Sequence, residues 1–268
     1  MRSILKMKLF DSHCHLDDRA YDNDLDAVAG RARKAGVEAL MIVGIDVESA
    51  AKAIALAETT PNWYASVGMH PHDTKNCSPE TLKSLRRLAR TREKVKAWGE
   101  IGLDFNRMYS PKMVQEHWFV EQLEVAGELN LTAIYHERDS RGRFLDILKS
   151  FQVPGKNGVI HCFSGNSSEL KAYLDLGLFI GITGILTLKD RGKQLRRMAR
   201  YIPLEQLVIE TDAPYLTPAP EKNRFRRNEP AFVRSVLFKL AEVRQDDPEH
   251  VAAAVWENTC RLYHIDGH

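Results

Sequence analysis

Three observations in the sequence predict an α/β chain closed into a single (β/α)8 TIM-type barrel. Eight short runs rich in Val, Ile and Leu alternate with segments of helical period from one end to the other. The runs lack strict polar–apolar alternation, as parallel strands buried on both faces require. No glycine-rich phosphate fingerprint follows the first run, which argues against an open doubly wound sheet.

The expected strands are residues 8–15 (KLFDSHCH), 38–45 (EALMIVGI), 63–71 (WYASVGMHP) and 95–105 (VKAWGEIGLDF) in the first half. The second half supplies 131–138 (LTAIYHER), 158–163 (GVIHCF), 178–186 (LFIGITGIL) and 206–213 (QLVIETDA). Between them, Leu25, Val28, Ala29 and Ala32 follow the i, i+3, i+4, i+7 rule of a helix packed on a sheet, with Gly36 placed to end it. Ala50, Ala53, Ile54 and Ala57 repeat the pattern, as do Leu195, Met198, Ala199 and Ile202, and Val233, Val236, Leu237 and Leu240. Ser78–Pro79 and Ser110–Pro111 each read as an N-cap followed by a proline in the first turn. Ser167 is expected to start a helix that Gly177 ends. With no linker, low-complexity tract or repeat, residues 1–268 are expected to form one domain, residues 1–6 being an irregular N-terminal extension.

A hydrophobic share of 44% is enough for a sizeable core, and no apolar run approaches the length that spans a bilayer. The opening MRSILKMK is too short and too charged for a secretory signal. Cys14, Cys77, Cys162 and Cys260 have neither C-x-x-C spacing nor disulfide-like density, so they are expected as reduced thiols, most of them buried, in a cytoplasmic protein. A net charge of +2 permits an anionic substrate without demanding one. Neither a membrane nor an obligate protein partner is indicated.

The polar residues inside the apolar runs carry the functional signal. His13 and His15 end the first strand, and alternation points them, with Asp11, the same way. His70 ends the third strand, Glu100 lies in the fourth, His136 near the end of the fifth and His161 in the sixth, while Glu210 and Asp212 close the eighth. Strand ends of such a barrel gather at its C-terminal face, where its enzymes place their active sites. For any one histidine a hydrogen-bonded core residue is the simplest account. Five of the ten histidines at one end, beside two acids, are better explained by a shared divalent cation, because imidazole and carboxylate are its natural ligands. His72, His117, His250, His264 and His268 fall in loops, helices or the tail and read as ordinary surface residues.

Seven segments, FDSHCHLD, GMHPH, GEIGLDF, YHERD, IHCFSG, ETDAPYLTP and RRNEP, occur in that order. Together they resemble the motifs of the TatD-type metal-dependent deoxyribonucleases of the amidohydrolase-like superfamily, from about Leu9 to Tyr263. The resemblance implies two divalent ions per chain; ligation by histidine and carboxylate admits Zn, Mn, Fe, Ni or Co, and loosely Mg. His13 and His15 would hold one with Asp212, His136 and His161 the other, and Glu100 would bridge them. Two cations about 3.5–4 Å apart activate a water and stabilise both the attacking and leaving oxygens of a phosphodiester. Asp212 then suits the general base, and His70 a contact to the scissile phosphate or the leaving group. Asp104 is expected to orient a ligand histidine and Glu210 to make a structural contact, the alternative for both being a further ion.

The resemblance implies DNA as the substrate, a single strand or an end, cut from the 3′ side. Arg224, Arg226 and Arg227, with Lys222, lie in the loop after the last strand and fit phosphate oxygens. Tyr109, Phe163 and Tyr215 lie in or beside the top loops, where aromatic rings can stack on bases. Basic residues in LKDRGKQLRRMAR fall opposite its apolar stripe and read as a solvated helix face. The family usually has other residues at Thr132, Tyr135 and Glu137, and the DFNRMYS stretch departs as well. Glu137 would repel a phosphate if it faced inward, but alternation turns it away from the side of His136. The competing reading is a hydrolase of the same superfamily acting on a small amide, ester or lactone. A binding protein that keeps its metals for stability is disfavoured by the full ligand set and candidate base.

Overall fold

The computed structural model describes residues 7–151 and 158–266; the extension expected over residues 1–6, and His268, lie outside them. Eight parallel strands form one sheet in sequence order: β1 (Leu9–Cys14), β2 (Val37–Val43), β3 (Trp63–Val67), β4 (Val95–Asp104), β5 (Thr132–Arg138), β6 (Gly158–Ile160), β7 (Phe179–Ile182) and β8 (Leu207–Ile209). The ring closes through a bridge between Cys14 and Ala213. At that seam the His15 N–H donates to Ala213 O at 2.7 Å and the Asp212 N–H to His13 O at 2.9 Å. The closure therefore runs through the backbone of three residues singled out for metal binding.

Helices α1 (Leu25–Lys34), α2 (Val47–Glu58), α3 (Pro79–Thr91), α4 (Lys112–Leu129), α5 (Arg143–Ser150), α6 (Ser167–Asp175), α7 (Lys193–Ala199), α8 (Val233–Arg244) and α9 (Pro248–Leu262) follow the strands. Ala50, Ala53, Ile54 and Ala57 of α2, and Val233, Val236, Leu237 and Leu240 of α8, are buried as their period requires. Ser78 caps α3 through the Thr81 N–H, and Gly36 and Gly177 take the left-handed backbone that ends α1 and α6. The core forms two shells. Phe10, Met41, Ile134, Val159, Phe179 and Val208 belong to the smaller one, whereas the larger packs the strands against the helices.

Three expectations are corrected. Ser110 does not cap α4: its hydroxyl donates to His72 O at 2.7 Å and accepts the Lys75 N–H at 3.0 Å, so it ties two loops together and Pro111 occupies the cap position. The run 178–186 is not one strand; past Ile182, Gly184–Thr187 forms a 3-10 turn whose start Thr183 caps. Likewise β3, β6 and β8 stop before His70, His161, Glu210 and Asp212. Past β6 and β8, Cys162 (φ 49°) and Asp212 (φ 57°) are left-handed, which turns the chain out of the strand direction.

Candidate metal centre

The seam and the fourth strand bring the polar residues together. His13 Nε2 and His15 Nε2 face one another at 3.2 Å. Glu100 Oε2 lies 3.4 Å from the first and 4.0 Å from the second, and Asp212 Oδ1 lies 3.8 and 3.5 Å from them. Four ligands bound at about 2.1 Å in a tetrahedron stand about 3.4 Å apart. The spacing is that of donors around a common cation, too wide for good hydrogen bonds and too close for unpaired buried groups. The donor set fits a divalent ion.

His161 extends this group. Its ring stacks on His13 with centroids 3.5 Å apart, and its Nε2 lies 3.5 Å from Asp212 Oδ1 and 3.9 Å from Glu100 Oε1. Its Nδ1 lies 3.0 Å from Glu210 Oε1, close enough to pair although not aligned as a hydrogen bond. The same oxygen accepts the Cys162 N–H at 2.5 Å. A Cβ at Gly181 would meet the Glu210 carboxylate at 2.6 Å, so glycine there leaves the acid its place. The His15 ring is held by Val43 O, 2.9 Å from Nδ1, whereas buried His13 Nδ1 has no hydrogen-bond partner. Asp11 does not reach the centre: its carboxylate accepts from Thr211 N and Oγ1 at 2.8 and 2.6 Å, and the β1–β2 register is irregular between Asp11 and Cys14.

His136 sits on the other side of Glu100. Its Nδ1 is 2.7 Å from Glu100 Oε1 and its Nε2 is 3.3 Å from Asp104 Oδ2, so a carboxylate faces each ring nitrogen. Its close histidine neighbours are His70, whose Nε2 is 3.2 Å from His136 Nδ1, and His72, rather than His161. His72 is no ordinary surface residue, since its Nε2 is 2.7 Å from Asp104 Oδ2. Sequence reasoning missed it, although its spacing from His70 repeats that of His13 and His15. Its backbone N–H donates to His70 Nδ1 at 3.1 Å. That bond leaves the proton of neutral His70 on Nε2, toward Glu100 Oε1 at 3.6 Å.

The charges support one another. Burial disfavours ionised Glu100 and Asp212, yet the imidazoles around them outweigh it and hold both below the usual carboxylate range. Burial also disfavours imidazolium, but the carboxylates raise His15 and His161 to about 9 and His136 to about 10. For His13 and His70 burial prevails, and His70 falls to about 4.

Asn228, a second residue that sequence reasoning missed, fixes the turn at Asp212. Its Nδ2 donates to Thr211 O at 2.9 Å and Tyr215 O at 2.6 Å, and Tyr21 Oη donates to its carbonyl at 2.7 Å. Only the RRNEP motif marks it in the sequence.

The substrate candidates divide. Arg227 is not free for phosphate: Nη1 and Nη2 each donate to Asp24 at 2.7 Å, Nη2 also reaches Glu229 at 3.1 Å, and the guanidinium covers the Tyr21 ring. Arg224 and Arg226 are exposed. Phe163 is buried against Tyr173, so it offers no stacking face, whereas Tyr109 and Tyr215 are 55% and 53% exposed. Glu137 accepts from Ser140 N and Oγ and so points away from the centre. In the basic stretch, Arg196 donates to the carbonyls of Leu186, Leu188 and Lys189 instead of lying free on a helix face. All four cysteines are free thiols; Cys14 and Cys260 are buried, Cys77 and Cys162 partly so.

Among known proteins, the sequence profile of a family described as TatD related DNase matches residues 10–264. The chain is 38% identical over 259 residues to a Salmonella typhimurium protein named "3'-5' ssDNA/RNA exonuclease TatD", covering 96% of this chain and 99% of that one. A protein of the same name from Erwinia tasmaniensis is 40% identical over 260 residues, covering 96% and 100%. Among solved structures, a TatD homologue from Escherichia coli superposes with a TM-score of 0.90 at 32% identity, over 97% of this chain and 100% of that one.

Proposed function

Because this chain belongs to the TatD related DNase family, we propose that it is a metal-dependent hydrolase that removes nucleotides from the 3′ end of single-stranded DNA or RNA. The observation that carries this reading is the gap bounded by His13, His15, Glu100 and Asp212 at the C-terminal mouth of the barrel: the two histidine nitrogens stand 3.2 Å apart, and each lies 3.4–4.0 Å from a Glu100 and an Asp212 oxygen. His13, His15 and Asp212 would hold one divalent cation, and His161 with His136 a second, with Glu100 between them. Ions held there supply positive charge to the phosphodiester oxygens and acidify a water in the cleft.

The remaining chemistry belongs to the chain. The Asp212 carboxylate, kept ionised by the imidazoles around it, takes the proton of the attacking water. His70 presents an Nε2–H donor to a phosphate oxygen; neutral and buried, it suits that contact better than protonation of the leaving group. Glu210 and Val43 O set the orientation of the His161 and His15 rings, and Asp104 that of His136. Exposed Arg107, Arg141, Arg191, Arg224 and Arg226, on loops that follow strand ends, bias the cleft face toward a polyanion.

Replacing Asp212 with Asn preserves shape and removes the base. On end-labelled single-stranded DNA the variant, still folded, is expected to lose at least about 10²-fold in turnover. Undiminished cleavage would reject Asp212 as the base. Wild-type protein that leaves the strand intact but hydrolyses a small ester or amide would reject the nuclease reading.

A further inference from the structure

Two exposed tyrosines, Tyr109 and Tyr215, stand at opposite ends of the histidine cleft. Tyr109 meets His72 with ring centroids 4.8 Å apart at 78°, and Tyr215 meets His15 at 6.0 Å and 65°. Between them lie His70, His136, Glu100 and His13. A near-perpendicular contact leaves at least one face of each tyrosine open.

The loops that carry these rings are fixed by the groups that build the site. Before Tyr109, the Asn106 and Arg107 N–H groups donate to Asp104 Oδ1 at 2.9 and 2.8 Å; after it, Ser110 Oγ donates to His72 O at 2.7 Å. Tyr215 donates its N–H to Asp212 O at 2.8 Å, accepts from Asn228 Nδ2 through its carbonyl at 2.6 Å, and pairs its hydroxyl with Asp18 at 3.2 Å. An aromatic ring held half in water forgoes burial of its apolar surface. Other exposed aromatics differ: Phe225 packs on Phe232, and Tyr201 lies just beyond α7.

We propose that Tyr109 and Tyr215 form two base-stacking subsites, one on each side of the cleft, which take the unpaired nucleobases flanking the scissile phosphate. This rests on the nuclease reading above and deepens it. A base inside a duplex has both faces covered by its neighbours, so two fixed rings select a strand whose bases are free to leave their stack.

The test uses the metal-loaded enzyme and a hydrolysis-resistant phosphorothioate oligothymidylate, with binding read by fluorescence anisotropy. A twin oligonucleotide carries tetrahydrofuran in place of the last three bases. Tyr109→Ala and Tyr215→Ala are each expected to weaken binding of the base-bearing strand by about 5- to 100-fold, and of the twin by less than about twofold. Tyr109→Phe and Tyr215→Phe keep the ring and are expected to keep the affinity. Equal losses on both oligonucleotides, or none on either, would overturn the subsites. Cleavage of an ordinary phosphodiester strand is scored separately: binding that follows the bases without cleavage would sink the nuclease reading and leave the subsites standing.

Discussion

The two sides of Glu100 are built from the same residue types and are arranged differently. On the seam side, side-chain exposure is 0% for His13, 9% for His15, 4% for His161 and 14% for Asp212, and the facing donors stand 3.2–3.8 Å apart. On the other side His72 and His136 are 26% and 18% exposed, and Asp104 approaches their nitrogens at 2.7 and 3.3 Å. The first spacing leaves room for an ion between the atoms; on the second, Asp104 closes on His72 as a hydrogen-bonded support, and His136 keeps only its Glu100-facing Nδ1 for an ion. A cluster of histidines and acids is therefore not uniform: residues of the same types stand as candidate ligands in one part of it and as hydrogen-bonded supports in another.

The sharpest break between the two sides lies in proton release. Without metal, His15 and His161 are raised to about 9, so near neutral pH each keeps a proton that a cation must displace. Affinity for the ion held by His13, His15 and Asp212 is expected to rise by up to about 10-fold per pH unit between 7 and 8, and to level off above about 9. Calorimetry in buffers of different ionisation enthalpy should count close to one proton released with that ion; a pH-independent affinity would contradict the assignment. The same shifts fix a stability trend. A histidine whose folded pKa is raised above its unfolded value of 6.5 stabilises fully below that value, and the contribution is lost as pH rises through about 9. The melting temperature of metal-free protein should therefore fall between pH 7 and 10, and that of loaded protein should fall less.

Asp104→Asn tests the supporting side. The substitution keeps size but removes the charge that holds His72 and His136 and takes the Asn106 and Arg107 N–H groups. Turnover is expected to fall about 10- to 100-fold, with the metal content of the seam side unchanged. Loss of all bound metal, measured on the purified variant by elemental analysis, would show that the two sides are one cage.

Much of this architecture was legible in the sequence because it rests on local periodicity. The α2 and α8 stripes and the Ser78 cap need only nearby residues to be recognised. Strand ends were less legible: the left-handed turns at Cys162 and Asp212 sit in residues other than glycine and are enforced by distant partners, Glu210 for one and Asn228 for the other. His72, in the loop after β3, was hidden for the same reason, since Asp104 reaches it from β4. Phe163 and Arg227 show the converse failure. Their residue types suit stacking and phosphate binding, but burial against Tyr173 and pairing with Asp24 commit them elsewhere, and neither partner adjoins them in sequence.

The arginines of the last loop carry the comparison between committed and available groups to its smallest expected effect. Arg227 ties the loop to α1 through Asp24, which also accepts from Arg31, and through Glu229, so Arg227→Ala should lower the melting temperature slightly. Because its guanidinium is already neutralised by protein carboxylates, it releases no counterion when a nucleic acid binds, and the salt dependence of binding should be unchanged. Arg224 and Arg226 have no such carboxylate partner among the described residues and stand exposed in the same loop. Removing either should leave stability nearly unchanged and flatten the slope of log affinity against log salt by about 0.7. An Arg227 variant that flattens the slope as much would show that the bound strand draws this guanidinium away from Asp24, making the loop's tether to α1 part of substrate binding.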